Sequence, residues 1–181
     1  MERLDVAKLA AELDQMRAKD AIVALLYDYC HELDYLRPSE VVALFTPDAE
    51  LDIRMDNAVV AEGTSYDRGV VHRGQDQINA FYRAITVRDS SYPAPYHHLV
   101  INPRVVVSGD AASAESTMVV VDNDPTDKRP HIMNGRPDIT GYGRYSDKLV
   151  RTPAGDWKIA YRLIEVEAGV TARPELEGGT V

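Results

Sequence analysis

Apolar residues recur every three or four positions through the first part of the chain. Between residues 6 and 33 this spacing predicts one or two amphipathic helices. Pro38 then interrupts the pattern, and Ser39 suits the N-cap of a short helix that ends near Phe45. The same spacing returns over residues 74 to 87 and predicts another helix.

The second half of the chain has the pattern of β-strands. Long strands are predicted over residues 97–108, 111–121, 139–150 and 156–167, and shorter ones within 49–73. Turn sequences such as Ser108-Gly109-Asp110 separate the long strands. Helices followed by an antiparallel meander predict an α+β fold, in which the helices pack on one face of a curved antiparallel sheet.

No repeat or low-complexity linker divides the chain, so we expect one domain over residues 1–181. The polar, proline-bearing residues 122–138 are expected to form a loop or a flap over a pocket, and residues 169–181 a C-terminal tail. The N-terminus lacks the pattern of a signal peptide, and no segment approaches the ~20 apolar residues of a transmembrane helix. These features predict a cytoplasmic protein.

Charge and cysteine content narrow the function classes. Lys and Arg number 20 against 29 Asp and Glu, a net charge of −9, which argues against a nucleic-acid partner and against an anionic membrane surface. Cys30 is the single cysteine, so an intrachain disulfide and a cysteine-based zinc site are excluded. Ten residues are tyrosine and only two are phenylalanine. That excess needs an explanation, because a buried phenol requires a hydrogen-bond partner.

Several familiar catalytic motifs are absent. His31-Glu32 begins like a zinc-protease helix, but Tyr35 stands where the second histidine belongs. The sequence has no P-loop and no Gly-x-Ser-x-Gly elbow. His97 and His98 are neighbours on a predicted strand and point to opposite faces, so they cannot easily bind one metal, and a metal site would need distant partners. We therefore predict neither a metal nor a cofactor.

Three polar residues stand where the predicted elements end or begin. Tyr29 and Asp34 lie near the end of the predicted N-terminal helices, and His98 lies at the start of the first long strand. A carboxylate at a helix C-terminus opposes the helix dipole, so Asp34 needs another role. A solvated Asp34 and a structural His98 remain open alternatives. His97 competes with His98, because a one-residue register shift would exchange their faces.

A series of short motifs resembles the SnoaL-like domain of the NTF2-like superfamily over residues 15–168. The motifs are Ala21-Ile22-x-x-Leu25-x-x-x-Tyr29-x-x-x-x-Asp34, Leu44-Phe45-Thr46-x-Asp48-Ala49, Gly74-x-Asp76-x-Ile78, His98-Leu99-Val100-Ile101-Asn102, Gly109-Asp110-Ala111-Ala112, Gly143-Arg144-Tyr145-x-Asp147 and Gly155-Asp156-Trp157-Lys158-Ile159-x-x-Arg162. The resemblance implies a cone-shaped α+β fold, with a curved antiparallel sheet and N-terminal helices around an apolar pocket.

One branch of that superfamily contains the bile-acid 7α-dehydratase, the hexachlorocyclohexane dehydrochlorinase and the scytalone dehydratase, which share an aspartate–histidine dyad. Carried over, the resemblance implies that Asp34 and His98 are catalytic, with Tyr29 as a hydrogen-bond donor. It implies a cofactor-free lyase of dehydratase type, or an isomerase. The substrate would be a hydrophobic oxygenated small molecule such as a polyketide, a steroid or an aromatic compound. Candidate substrate-binding residues are Tyr96, Tyr142, Tyr161 and Arg162.

Two non-catalytic alternatives share the implied fold. The chain also resembles the small β subunit of ring-hydroxylating dioxygenases, which is a scaffold, and a small-molecule binding module without turnover is a further alternative. The superfamily implies a homodimer or a homotrimer formed through the convex face of the sheet.

Overall fold

Three helices and six strands make up most of the part of the chain that the computed structural model describes, which is residues 5–55, 69–86, 97–124 and 136–168. The helices are α1 (Val6–Asp34), α2 (Pro38–Ala43) and α3 (Gly74–Thr86). The strands are β1 (Phe45–Met55), β2 (Val70–Arg73), β3 (His97–Ser108), β4 (Ala111–Asp124), β5 (Arg136–Arg151) and β6 (Trp157–Ala168).

The predicted loop over residues 122–138 is shorter than expected at both ends. Strands β4 and β5 extend to Asp124 and back from Arg136, where the two residues pair. Residues 125–135 lie outside the described part of the chain, and so do the predicted tail residues 169–181. The prediction of a flap therefore stays a prediction.

The strands form one sheet in the order β2-β1-β6-β5-β4-β3. Strands β3 to β6 are the expected antiparallel meander. The predicted α+β fold, with helices packed on a curved sheet, is confirmed; strand β1, however, pairs with β6 in parallel, so the expected antiparallel sheet contains one parallel pair and is mixed. In the chain, β2 and α3 lie between β1 and β3, and the meander that starts at β3 ends with β6 beside β1, running in the same direction. Alternation along a strand does not reveal this pairing.

The first predicted helical region forms one continuous helix, α1, and backbone hydrogen bonds set its end. The Leu36 N–H donates to the Leu33 carbonyl at 3.0 Å, and the Arg37 N–H donates to the Glu32 carbonyl at 2.9 Å. With Leu36 at a φ of 57°, this is a Schellman motif with a non-glycine residue in the left-handed position. It ends α1 at Asp34. Pro38 then occupies the first turn of α2, so the predicted Ser39 N-cap is wrong.

The core lies between the sheet and the helices. Ile22 and Leu26 of α1 and Ile78 of α3 are fully buried against the inner face of the sheet. Leu9 and Leu13, which share the predicted helical stripe, are exposed. Cys30 is buried, and burial raises the pKa of its thiol to about 12. No helix in the described ranges combines the length and the apolar character that crossing a bilayer requires.

Two of the irregularities in strand pairing decide which residues of β3 and β6 face inward. In β3, Ile101 pairs with Thr117 and Arg104 pairs with Glu115, so β3 carries an extra residue next to Asn102, which has a φ of 53°. In β6, the pairing of Lys148 with Tyr161 and of Leu149 with Ile159 leaves Ala160 as an extra residue. Each bulge exchanges the inner and outer positions of the strand that follows it.

Candidate active site

A cavity of about 280 Å³ lies between α1, α3 and the inner face of the sheet. Most of its wall is apolar, with Leu33, Ile53, Phe81, Met118, Val120 and Ile164 among the lining residues. The polar side chains of the wall are Tyr29, Tyr82, Tyr145 and His98. An apolar cavity with a few convergent polar groups is the typical form of a small-molecule site.

The structure brings Asp34 and His98 into direct contact. His98 Nδ1 lies 2.6 Å from Asp34 Oδ1, and the His98 backbone N–H donates to both carboxylate oxygens at 3.0 and 3.1 Å. Asp34 is the last residue of α1, where the helix dipole disfavours a negative charge. The hydrogen bonds from the start of β3 offset that cost, and they fix the imidazole relative to the helix.

This geometry selects the tautomer of the His98 ring. An ionised carboxylate only accepts hydrogen bonds, so the short contact places a hydrogen on Nδ1, and in the neutral ring Nε2 is the nitrogen with the free lone pair. The His98 side chain is 18% exposed and lines the cavity. The neighbouring His97 side chain is 62% exposed, and its Nδ1 lies 3.6 Å from Asp34 Oδ2. His98 is therefore the histidine on the cavity side of the strand.

Tyr29 contributes a buried hydroxyl to the cavity wall. Its oxygen lies 2.8 Å from the hydroxyl oxygen of Tyr82, and each residue is 1% exposed. Burial raises the pKa of Tyr29, an effect that the positive charge of Arg162 partly offsets. Burial also raises the pKa values of Tyr82 and Tyr145 well above the ordinary value for tyrosine. All three phenols are therefore protonated at neutral pH, and Tyr29 can act as a hydrogen-bond donor.

These raised pKa values predict that some of the tyrosines of the folded protein ionise at a higher pH than ordinary tyrosine. For each phenol the folded pKa lies above the unfolded value of about 10. Its contribution to stability is therefore complete below pH ~10 and is lost as the pH rises through the folded value. We expect the ultraviolet phenolate signal of these three residues to appear later than in guanidinium chloride, where all ten tyrosines titrate together. A native curve that overlays the denatured one would contradict this.

Arg162 lies behind the cavity wall. It is fully buried, donates to both carboxylate oxygens of Asp147 at 2.7 and 2.9 Å, and is not among the residues that line the cavity. Its guanidinium carbon is 3.9 Å from the centroid of the Tyr29 ring and 4.6 Å from that of Tyr145. The predicted direct contact with substrate is thus replaced by contact with two residues of the wall.

Two of the other predicted substrate-binding residues, Tyr142 and Tyr161, do not line this cavity. Tyr142 is 43% exposed and alternates with Gly141 and Gly143, which face inward, so it lies on the outer face of the sheet. Tyr161 is also on the outer face, where its hydroxyl donates to Asp52 at 3.2 Å, because the bulge at Ala160 turns Arg162 inward instead. Tyr96 lies outside the described residues.

The described side chains form no metal centre. Within residues 5–55, 69–86, 97–124 and 136–168, no group of three or more His, Cys, Asp or Glu is arranged to hold a metal ion.

The comparison with protein families agrees with this architecture. Residues 14–163 match the family model described as a SnoaL-like domain, which is most of the 181-residue chain. The chain belongs to the SnoaL-like domain family. Among the curated proteins, no sequence matches it.

Solved structures show that the SnoaL-like chain has an NTF2-like fold. An NTF2-like protein with a cystatin-like fold from Novosphingobium aromaticivorans is 20% identical, with a TM-score of 0.66 over 99% of this chain and 95% of that one. A candidate scytalone dehydratase from the same organism is 22% identical, with a TM-score of 0.61 over 92% and 98%. The β subunit of a candidate aromatic-ring-hydroxylating dioxygenase, also from that organism, is 20% identical, with a TM-score of 0.62 over 88% and 93%.

Some residues of this SnoaL-like site were not identified from the sequence. Tyr82 pairs with the Tyr29 hydroxyl, Asp147 neutralises Arg162, and Gly141 forms part of the cavity wall. Tyr82 had a usable signal, since it is a phenol at helical spacing from Ile78 on an otherwise apolar helix face. Asp147 and Gly141 had no such signal, because only the pairing of the strands brings Asp147 to Arg162 and Gly141 to the cavity wall.

Proposed function

We propose that this SnoaL-like protein is a cofactor-free lyase of dehydratase type, or an isomerase, that acts on a hydrophobic oxygenated small molecule. The observation that carries the proposal is the 2.6 Å contact between His98 Nδ1 and Asp34 Oδ1 at the wall of an apolar cavity. A histidine held by a carboxylate, with its second nitrogen left basic, is a general base in position to act.

The proposed reaction begins with proton transfer from carbon to His98 Nε2. The C–H bond that breaks lies next to a carbonyl; its electron pair becomes the C=C bond of an enolate, and the carbonyl π pair moves to the oxygen. The Asp34 carboxylate stabilises the imidazolium that results. The Tyr29 hydroxyl, which can accept a hydrogen bond from Tyr82, donates one to the enolate oxygen. In an elimination the imidazolium then protonates the departing hydroxyl group, which leaves as water. In an isomerisation it returns the proton to a different carbon.

The surroundings support this division of roles. The wall near His98 is mostly apolar, which weakens the competition of water for the hydrogen bonds to the enolate. Asp34 does not line the cavity and reaches it only through His98, which suits an orienting group rather than a second base. The resemblance in fold to a candidate scytalone dehydratase is in keeping with dehydration chemistry, although the fold by itself does not assign a reaction.

Proton exchange tests the base without knowledge of the natural substrate. The probe is 2-tetralone in D₂O, an apolar ketone whose protons next to the carbonyl are followed by proton NMR. We expect the protein to exchange them at least about tenfold faster than free imidazole at the same concentration, because the ring is oriented and the enolate oxygen has a donor. A rate no higher than that of free imidazole would refute the proposed base.

The second candidate is a non-catalytic subunit, and the fold similarity to a dioxygenase β subunit favours it. Such a subunit would need a larger partner and would leave the cavity unused. Light scattering of the purified chain distinguishes the two candidates together with the exchange assay. A self-contained homodimer or homotrimer that exchanges protons supports the enzyme, whereas a protein that is inactive in exchange and stable only with a larger partner supports the scaffold.

A further inference from the structure

One position of the cavity wall has no side chain, and the fold does not require that. Gly141 is buried in β5, where glycine weakens a strand by about 0.5–1 kcal/mol relative to alanine. Among the residues that the structure describes, a Cβ atom at Gly141 would meet only Val120 Cγ2 and Cβ, at the ordinary contact distances of 3.8 and 3.9 Å. Its backbone is also not among the positive-φ glycines. Neither crowding nor backbone conformation explains this residue.

Gly143, two residues further along the same face, shows what a structural glycine looks like here. A Cβ atom on Gly143 would collide with the backbone carbonyl of Glu165 in β6. The strands approach too closely there for any side chain, and Gly143 does not line the cavity. Gly141 does line it. Glycine therefore occupies these two positions of β5 for different reasons, and only the glycine at position 141 affects the cavity.

The register of the sheet places this gap opposite the candidate base. His98 pairs with Val120 in β4, and Val120 pairs with Gly141 in β5. Since neighbouring strands are about 4.8 Å apart, Gly141 lies roughly 10 Å across the sheet from His98. All three residues line the cavity, so together they form one row of its floor. A side chain at position 141 would fill the end of that row.

The cavity volume indicates which ligand fits on this floor. A closed apolar cavity of about 150 Å³ accommodates one benzene ring. At about 280 Å³ this cavity has nearly twice that volume, which provides room for two fused rings. We infer that Gly141 sets the size limit of the site, so that a flat, oxygenated two-ring molecule lies over Val120 and Gly141. This inference rests on the proposed function only in taking the cavity as the substrate site.

Binding of phenols to the intact protein tests the inference independently of turnover. Isothermal titration calorimetry compares phenol, with one ring, and 2-naphthol, with two, on the wild type and on Gly141→Val. Overpacking a well-packed site typically costs 1–3 kcal/mol, so we expect the variant to weaken 2-naphthol binding by about fivefold or more. Phenol binding should change less than about twofold, because one ring leaves the far end of the row empty.

Two further variants keep the test decisive. Arg144→Val adds the same side chain to the outer face of β5, where Arg144 is exposed, and should leave both affinities unchanged. Gly141→Ala adds a single methyl group and covers the case in which the valine variant does not fold, with an intermediate loss for 2-naphthol. Equal weakening of both phenols, an unchanged 2-naphthol affinity in either glycine variant, or no binding of 2-naphthol by the wild type would overturn the inference.

The outcomes also separate this inference from the proposed function. If Gly141 limits ligand size but the protein does not exchange the protons of 2-tetralone, the cavity is a selective binding site and the proposed catalysis fails. If exchange occurs and the glycine variants bind 2-naphthol normally, the base stands and the size limit fails.

Discussion

Replacement of His98 by alanine is expected to lower proton exchange from 2-tetralone by about 10²- to 10⁴-fold, the range typical for loss of a positioned general base. The imidazole is the only cavity-lining side chain with a basic nitrogen among the described residues. Its Nδ1–H is held by Asp34 at 2.6 Å, so Nε2 is left to take the proton. Proton NMR in D₂O measures the exchange rates of wild type and variant at equal concentration.

Asp34→Asn tests the orienting carboxylate separately. The amide oxygen can still accept the His98 backbone N–H, but the fixed Nδ1 tautomer and the stabilised imidazolium are lost, which should cost about 10²-fold or more. His97→Ala is the matched control, because this neighbour is exposed and lies 3.6 Å from the same carboxylate. Its rate should stay within about threefold of wild type. A His98→Ala variant that still binds 2-naphthol and keeps its exchange rate would rule out His98 as the base.

The order of elements follows from the sequence more readily than the facing of individual residues. Apolar residues recurring every three or four positions predicted α1 and α3. The strand-like pattern of the second half predicted β3 to β6 within a few residues of their observed bounds. These signals are local, because they reflect one buried face per element. The parallel pairing of β1 with β6 was not predictable in this way, since it depends on how distant segments cross.

Strand β3 shows why facing is difficult to predict. Val105 and Val107 point inward, so strict alternation counted back from them places His97, Leu99 and Ile101 inside. The extra residue next to Asn102 reverses that assignment, and His98 and Val100 point inward instead. The Asn102-Pro103 pair was a usable signal for a bulge, because asparagine tolerates positive φ and proline disrupts a strand ladder. The resemblance to the family indicated His98 as the catalytic histidine, but it did not supply the bulge as the reason why His98 points inward.

Strand β6 has the same difficulty, with a larger consequence for the site. Continued alternation from Trp157 and Ile159 points Tyr161 inward, which would agree with its predicted role in substrate binding. The bulge at Ala160 instead turns the guanidinium of Arg162 into the core. A buried arginine requires a compensating charge, and Asp147 is aligned with it across β5 and β6. The sequence shows both residues but not their pairing.

The ion pair of Arg162 and Asp147 also packs against the Tyr29 ring, on the side away from the cavity. Burial opposes the positive charge of Arg162, but Asp147 and the neighbouring phenols hold its pKa well above the ordinary value for arginine. Among the described residues, Arg162 Nη1 has no hydrogen-bond acceptor. The ring faces of Tyr29 and Tyr145, at 3.9 and 4.6 Å from the guanidinium carbon, stabilise the part of the cation that Asp147 does not reach. The pair therefore fixes the wall that carries the Tyr29 hydroxyl.

Arg162→Met is accordingly expected to destabilise the fold by about 3–5 kcal/mol, because it leaves the Asp147 carboxylate buried without a partner. Urea unfolding measures the loss. The double variant Arg162→Met/Asp147→Leu should recover most of it, since replacing a whole buried pair by apolar residues is often close to neutral. Arg144→Met breaks the exposed pair with Glu167 on the same two strands and should cost less than about 1 kcal/mol. A loss for Arg162→Met no larger than this control would mean that the buried pair does not hold the cavity wall in place.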